Sequence, residues 1–225
     1  MARVTSLIMR SSTSSKSAFT LIEMLTVMAV IAILASLIVG IQAFAQKKAA
    51  LTRASGEMQT MATACQAYKA DEGGFPRDIK GENSDTDALD PRVDGDPTNL
   101  KYQKASLYLY KKLTGDENAT GKKGDGKSYC EFIPSQLQKD ASGAVKFIRD
   151  PFGNSYGYST AGATMEETYR QNLEKNPATE RPSGTELKGF NPTFDIWSTG
   201  GVVSKTGGTG GTGLNAERKR WVKNW

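Results

Sequence analysis

Residues 19–41 read FTLIEMLTVMAVIAILASLIVGI, and this stretch decides how the chain is organised. Glu23 is its charged residue, and residues 24–41 form an uncharged apolar run. A helix needs about 20 predominantly apolar residues to cross a bilayer. The stretch therefore predicts a membrane helix. Because a carboxylate in hydrocarbon is costly unless it is paired, Glu23 is expected to have a partner.

The helical pattern continues beyond the apolar run. Apolar residues recur at alternating steps of three and four, which places them on one face of a helix. They are Leu51, Ala54, Met58, Met61, Cys65 and Tyr68. A helix end is predicted at residues 71–74, where two glycines precede Pro76. The sequence thus predicts one long helix, membrane-spanning over residues 19–44 and amphipathic over residues 45–75.

A secretory signal peptide is the alternative interpretation of the apolar run. Its apolar core normally has about 7–15 residues and is followed by a small-residue cleavage site. Ala43-Phe44-Ala45 offers such a site, so the run alone leaves open a signal peptide followed by a periplasmic binding domain. Glu23 and the continuing amphipathic pattern favour a helix that is kept.

Polar and basic residues flank the apolar run on both sides. Residues 1–18 are polar, with Arg3, Arg10 and Lys16, and they predict a leader that does not fold alone. Lys47, Lys48 and Arg53 follow the run. The excess of basic residues that marks the cytosolic side of a membrane helix is therefore nearly balanced.

The composition argues against two functional classes. The chain contains no histidine, which removes the usual neutral-pH general base and the commonest metal ligand. We therefore expect no enzyme and no catalytic residue. The net charge of +5 is spread along the chain without aromatic interleaving, so no nucleic-acid partner is expected. Cys65 and Cys130 fit one disulfide or two separate buried thiols equally well.

Residues 76–225 are predicted to form a globular domain of mixed structure. Helical spacing over residues 102–113 ends at Gly115, and a further helix is predicted over residues 165–175. Alternating residues predict strands at 145–148, 156–158 and 194–197. We expect one small antiparallel sheet packed on the apolar seam of the long helix. The predicted fold class is α+β.

Two segments look like insertions into this domain. Residues 81–99 contain five aspartates among turn-forming residues and predict an exposed, mobile loop; the aspartates are Asp85, Asp87, Asp90, Asp94 and Asp96. Asp94-Gly-Asp96 lacks the 12-residue EF-hand spacing, so no metal site is predicted there. Residues 160–189 combine the predicted helix with a proline-containing loop.

The stretch Lys16-Ser-Ala-Phe-Thr-Leu-Ile-Glu-Met-Leu25 resembles the type IV prepilin cleavage and methylation motif, with Ala18 where that family usually has glycine. The resemblance implies that a prepilin peptidase cleaves the Ala18–Phe19 bond on the cytosolic side and methylates the Phe19 amine. It also implies that Glu23 pairs with the Phe19 amine of a neighbouring subunit during filament assembly. The alternative is that Glu23 only complements the helix macrodipole from the first turn.

The C-terminal half resembles the major pseudopilin, the G component, of type II secretion systems. The similar segments are Asp150-Pro-Phe-Gly-Asn-Ser-Tyr-Gly-Tyr158, Phe194-Asp-Ile-Trp-Ser-Thr-Gly200 and Val222-Lys-Asn-Trp225. The resemblance implies a pilin-like fold and a single-pass protein of the bacterial inner membrane with its C-terminal domain in the periplasm. Its partners would be copies of itself, other pseudopilins, the peptidase and an inner-membrane assembly platform. A type IV pilus pilin is the alternative within the family.

The same resemblance bears on calcium. Members of that family hold a calcium ion in a glycine-rich loop, with an aspartate two residues after the Ser-x-Gly segment. Here Val202 occupies that position, and residues 207–213 contain no acid. Because calcium prefers carboxylates among its oxygen ligands, we expect no cofactor, or weak calcium binding at most.

Overall fold

The structure is a computed structural model that describes residues 19–78, 81–122, 124, 126–203 and 212–225, with the side chains of 37–41 and 212 left out. The predicted leader, residues 1–18, lies outside the described residues. The described chain is α+β, as predicted. Its helices are α1 (Leu21–Glu72), α2 (Leu100–Thr114), α3 (Ala161–Lys175) and α4 (Thr212–Arg218). Its strands are β1 (Leu137–Lys139), β2 (Val145–Ile148), β3 (Gly157–Ser159), β4 (Asp195–Ser198) and β5 (Val222–Lys223).

Helix α1 extends over both compact units into which the chain divides, Met1–Gln46 and Lys47–Trp225. It ends at Glu72, within one residue of the predicted end, and Gly73 follows with a φ of 80°. The predicted apolar run includes residues 37–41, whose side chains lie outside the description. Among the side chains that are described, no helix offers an apolar stretch long enough to cross a membrane.

Within Lys47–Trp225, the predicted seam of α1 forms one wall of the core. Ala54, Met58, Met61 and Cys65 are buried, and Leu51 and Tyr68 are half-buried. The core cluster continues into α2, β2, β3 and β4 through Leu109, Leu113, Ile148, Tyr156, Tyr158 and Ile196. The prediction of an amphipathic half-helix is confirmed, because apolar spacing along a helix selects the face that is removed from water.

The strands form two antiparallel sheets, so the prediction of a single sheet was wrong. Strand β1 pairs with β2, while β3, β4 and β5 form a separate three-stranded sheet. A turn that contains Asp150, at residues 150–154, separates β2 from β3. One isolated antiparallel bridge joins Arg149 and Ser155, which flank this turn. Short strands interrupted by a tight turn do not sustain a continuous ladder.

A second core cluster surrounds Trp197. Its members are Leu89, Tyr102, Ala105, Leu214 and Trp221, with Trp225 packed against it. The Trp197 indole N–H donates to the Tyr102 hydroxyl at 3.0 Å. Gly157 lies opposite Trp197 in the β3–β4 pairing, and a Cβ there would be 2.2 Å from the Trp197 Cε2 atom. Glycine at 157 therefore lets the indole lie flat against β3.

The acidic segment 81–99 is not the exposed loop that its composition predicted. Leu89 and Thr86 are buried. The Thr160 N–H donates to the Thr86 carbonyl at 2.8 Å, and the Ser159 hydroxyl donates to the Leu89 carbonyl. The turns of this segment are thus held against the end of β3, where their backbone groups find partners.

Candidate processing and assembly site

The start of α1 is a reciprocal capping box. The Glu23 carboxylate accepts hydrogen bonds from the Thr20 backbone N–H and from the Thr20 hydroxyl, both at 2.8 Å. In return, the Glu23 N–H donates to Thr20 Oγ1 at 3.3 Å. A Thr at the N-cap and a Glu three residues later satisfy backbone donors that the first helical turn leaves free. The box fixes the helix start at Leu21.

Glu23 therefore has a partner within its own chain. Sequence reasoning missed Thr20 in this role, although the Thr-x-x-Glu spacing is the signature of a capping box. Both hydrogen bonds use Oε2, and among the described residues no donor reaches Oε1. Pairing of Glu23 with the Phe19 amine of a neighbouring subunit stays a prediction. Ala18, the other residue of the predicted cleavage site, lies outside the described residues.

The residues that follow the box present apolar side chains in every direction. All the described side chains over residues 19–36 are exposed. The large apolar ones are Phe19, Leu21, Ile22, Met24, Leu25, Val27, Met28, Val30, Ile31, Ile33 and Leu34, each more than half exposed. A helix that is apolar all round is normally buried in a membrane or among other helices. This apolar segment is therefore expected to be covered by lipid or by other helices.

Hydroxyl groups on this segment are satisfied by the helix itself. Thr26 Oγ1 donates to the Glu23 carbonyl at 2.9 Å, and Ser36 Oγ donates to the Ile33 carbonyl at 2.7 Å. A polar group without a partner is costly away from water. Ala29, Ala32 and Ala35 add small side chains that allow close approach of another helix. The surface is thus suited to apolar surroundings.

Asp150 holds the turn between the two sheets. It accepts hydrogen bonds from the N–H groups of Phe152 (2.9 Å) and Asn154 (2.8 Å) and from the Ser198 hydroxyl (2.5 Å). Burial raises the pKa of this carboxyl above its ordinary value. The contacts explain why an aspartate in the 150–158 segment and a serine in the 194–200 segment occur together.

The two tyrosines of the 150–158 segment hold α1 and the residues that follow it against the core. The Tyr156 hydroxyl donates to Glu57 Oε2 at 2.8 Å, and Glu57 also pairs with Arg53 at 2.7 Å. The Tyr158 hydroxyl donates to the Pro76 carbonyl at 2.6 Å. Both tyrosine rings are fully buried, so these bonds satisfy polar atoms that would otherwise be stranded in the core.

The C-terminal residues close the β3–β4–β5 sheet. The Asn224 amide accepts from the Ile196 N–H at 3.0 Å and donates to the Phe194 carbonyl at 3.2 Å. Trp225 stacks on Phe190, with ring centroids 4.6 Å apart. Asn224 thus replaces backbone partners that β4 would lack where β5 ends.

Asp195 is a buried carboxyl at the start of β4. It accepts hydrogen bonds from the Phe190 N–H at 2.8 Å and from the Asn191 N–H and amide at 3.0 and 2.9 Å. Burial raises the pKa of Asp195 to about 6, and the nearby Asp90 adds to the increase. Its oxygens hold the preceding loop in place.

Both cysteines are free thiols in the structure. Cys65 is buried on the seam of α1, and Cys130 is half-buried against the same core cluster. Burial raises the pKa of both thiols, that of Cys130 to about 12. Since the thiolate is the reactive form, both side chains behave as small apolar residues in this state. The disulfide between them stays a prediction.

In the part of the chain that is described, no group of three or more acidic or sulfur-bearing residues is arranged to hold a metal ion. Asp94 and Asp96 instead accept backbone N–H groups, from Asp90 at 2.9 Å and from Thr98 at 2.9 Å respectively. The glycine-rich segment singled out in the sequence lies largely at residues 204–211, outside the described residues. The expectation of no cofactor therefore stays a prediction.

Comparison with known families bears on the N-terminal segment. A family model described as the prokaryotic N-terminal methylation motif matches residues 13–39. The chain carries a type IV pilin-like prepilin signal. That signal implies processing by a prepilin peptidase, a membrane-anchored N-terminus and polymerisation with other pilins. Comparisons with curated proteins and with solved structures gave no match.

Proposed function

We propose that this chain is a structural subunit of a periplasmic type II secretion pseudopilus, processed from a prepilin and polymerised through its N-terminal helix to support protein export. The observation that carries the proposal is the methylation motif at residues 13–39, which overlaps the start of α1, where all the described side chains over residues 19–36 are exposed. Such a surface is stable only when lipid or other helices cover it. Lipid would cover this surface while the subunit waits in the membrane, and other helices would cover it in the core of the filament.

The first step is hydrolysis of the Ala18–Phe19 peptide bond by the prepilin peptidase. The bond lies directly before the Thr20–Glu23 capping box, so cleavage leaves the helix start intact. The new Phe19 amine is then methylated. It retains a positive charge next to the first turn of α1, where the macrodipole disfavours a cation and makes a carboxylate partner favourable.

Assembly would use the free oxygen of Glu23. Oε2 is engaged by Thr20, whereas Oε1 has no donor among the described residues. An ammonium group of a neighbouring subunit can bind Oε1 without breaking the capping box. In apolar surroundings such a charge-assisted hydrogen bond is stronger than a neutral one. The pair would also set the axial offset between neighbouring helices.

Support for type II secretion comes from the C-terminal half. The segments that resemble the major pseudopilin contribute the Asp150 turn, the Gly157–Trp197 contact and the Asn224 sheet closure. Each of these three contacts organises the domain, so the resemblance covers residues on which the fold depends. We take this as support for a pseudopilin over a type IV pilus pilin. The discriminating observation is the neighbouring machinery: a secretin with secretion components supports the proposal, and retraction ATPases support the pilus.

The decisive experiment is the intact mass and N-terminal residue of the protein purified from membranes of its native host. A start at N-methylated Phe19 would establish prepilin processing and leave only the type of filament to be decided by the neighbouring machinery. A start near Gln46 in a soluble fraction shows signal-peptide cleavage and refutes the proposal.

Two variants separate charge pairing from helix capping. Glu23→Gln keeps a capping box, because glutamine serves at the same position, but removes the charge. Thr20→Ala removes the cap and keeps the charge. The proposal expects that Glu23→Gln is cleaved normally yet gives few cross-linked oligomers in membranes, while Thr20→Ala still assembles. Assembly by Glu23→Gln at the wild-type level would show that Glu23 acts only within its own helix.

A further inference from the structure

Within Lys47–Trp225, the C-terminal segment lies along α1 near residues 51–55. An open groove there is lined by Leu51, Thr52 and Ser55 of α1 and by residues 220–223 and 225. A Cβ at Gly200 would be 2.7 Å from the Arg220 carbonyl oxygen and 3.5 Å from Leu51 Cδ2, which places these three residues together. Lys47 and Lys48 precede Leu51 by four and three residues, so they share its side of the helix.

Basic residues from two distant parts of the sequence thus lie in this groove or next to the segments that line it. We call them the basic patch; its members are Lys47, Lys48, Lys219, Arg220 and Lys223. The first four are exposed and the last is half-buried. None of the ion pairs found among the described residues includes any of them.

Two acids that lie close to the basic patch in the sequence, Glu57 and Glu217, form no ion pair with it within the described part of the chain. Glu57 is engaged by Arg53 at 2.7 Å and by the Tyr156 hydroxyl, and its side chain is 10% exposed. Glu217 is half-buried on α4. The patch therefore carries positive charge that no ion pair among the described residues compensates, although the Lys223 ammonium donates to the Arg218 carbonyl at 3.2 Å.

A partly exposed indole accompanies the charges. Trp225 lines the same groove, and Lys223 Nζ lies 5.5 Å from its ring centroid. Tryptophan next to lysine or arginine is the combination that membrane proteins place at the level of lipid headgroups. Lys47 follows the predicted apolar run, which ends at residue 41, by fewer than two helical turns. The patch is thus next to the proposed membrane anchor along the chain.

We propose that the basic patch docks on anionic phospholipid headgroups of the membrane that holds the N-terminal helix, and that it orients the domain before the subunit enters a filament. The inference rests on the proposed function, because it needs the helix to be anchored. It also explains why basic residues occur on both sides of the apolar run, because Lys47 and Lys48, which follow the run, would serve lipid contact rather than topology.

The expected strength follows from the charges. A basic side chain at an anionic membrane surface favours the docked state by about five-fold at ordinary ionic strength. Removing three of them is expected to lower the ratio of docked to undocked molecules by on the order of 100-fold. The attraction is screened when the Debye length shrinks to about 3 Å in 1 M salt.

The test uses the full chain reconstituted into vesicles of phosphatidylcholine alone or with added phosphatidylglycerol. Tryptophan fluorescence is recorded with and without lipids that carry a nitroxide quencher on the headgroup, and Trp225 is the native reporter. The patch variant combines Lys48→Gln, Lys219→Gln and Arg220→Gln. The matched control removes the same charge from exposed lysines elsewhere, as Lys146→Gln, Lys175→Gln and Lys188→Gln.

The proposal expects strong quenching in vesicles with phosphatidylglycerol, weak quenching in phosphatidylcholine alone, loss of the difference in 1 M salt and in the patch variant, and no loss in the control. Equal quenching in both vesicle types, or an unchanged patch variant, overturns it. Quenching that rises with protein density and ignores lipid charge assigns the patch to a second copy of the chain instead. Vesicle flotation distinguishes failure of the membrane anchoring from failure of the docking. A chain that floats with neither vesicle type contradicts the anchoring. A chain that floats but shows no effect of lipid charge on quenching contradicts only the docking.

Discussion

Gly157→Ala tests the packing of β3 against Trp197. The added Cβ would lie 2.2 to 2.6 Å from three atoms of the Trp197 ring. The indole is held by its hydrogen bond to Tyr102 and by stacking on Trp221, with ring planes 8° apart, so it cannot move aside freely. Overpacking a core costs about 1–3 kcal/mol, and losing the indole hydrogen bond adds about 1 kcal/mol. We expect the free energy of unfolding to fall by about 2–4 kcal/mol.

The assay is urea unfolding of the full chain in detergent, followed by tryptophan emission, since Trp197 is fully buried. Gly56→Ala is the matched control, because Gly56 lies on the exposed face of α1 with nothing within 4 Å of a new Cβ. That change is expected to stabilise the helix by up to about 1 kcal/mol. If Gly157→Ala unfolds within about 0.5 kcal/mol of wild type, the account of the Trp197 core is refuted.

Three further predictions concern hydrogen bonds of the domain. Tyr156→Phe breaks a bond to a carboxylate and should cost about 1.5–3 kcal/mol, more than the roughly 1 kcal/mol for Tyr158→Phe, whose acceptor is a neutral carbonyl; urea midpoints give the order, and the reverse order contradicts it. Burial raises the pKa of Asp195 from an ordinary 3.8 to about 6, so the folded state holds a proton there that the unfolded state has lost. Wild type should therefore lose stability relative to Asp195→Asn as the pH rises from about 4 to about 7, by up to about 3 kcal/mol, and a pH-independent difference would contradict this. Asn224→Ala removes the acceptor of the Ile196 N–H, and faster amide exchange at Ile196 than in wild type is the expected sign.

The candidate site was predicted from the sequence in its position but not in its contacts. The order Phe19-Thr-Leu-Ile-Glu23 was sufficient to locate the processing signal and to single out Glu23. The resemblance placed the partner of Glu23 in another chain, and the alternative within its own helix was an interaction with the macrodipole alone. The structure shows that Thr20 already occupies one carboxylate oxygen. Local capping chemistry was readable from the same five letters.

The fold was predictable where one periodicity persisted over many residues. The α1 seam and α2, with its Gly115 end at a φ of 70°, fall in this class. Short elements were missed or misjudged: β1, β5 and α4 are too short to show a period. Within residues 81–99, the buried Thr86 and Leu89 accept hydrogen bonds from Thr160 and Ser159, about seventy residues away. No local pattern contains that information.

The tyrosine contacts of α1 have a consequence for the time course of biosynthesis. Tyr156 and its acceptor Glu57 are separated by 99 positions in the chain. At about 5–20 residues per second, the ribosome needs roughly 5–20 s to produce that interval. During this period the seam of Ala54, Met58, Met61 and Cys65 has emerged without the strands that cover it. A subunit delivered to the membrane while still being synthesised would therefore expose the apolar seam of α1. Early binding by a chaperone or a translocation channel would protect this seam from aggregation.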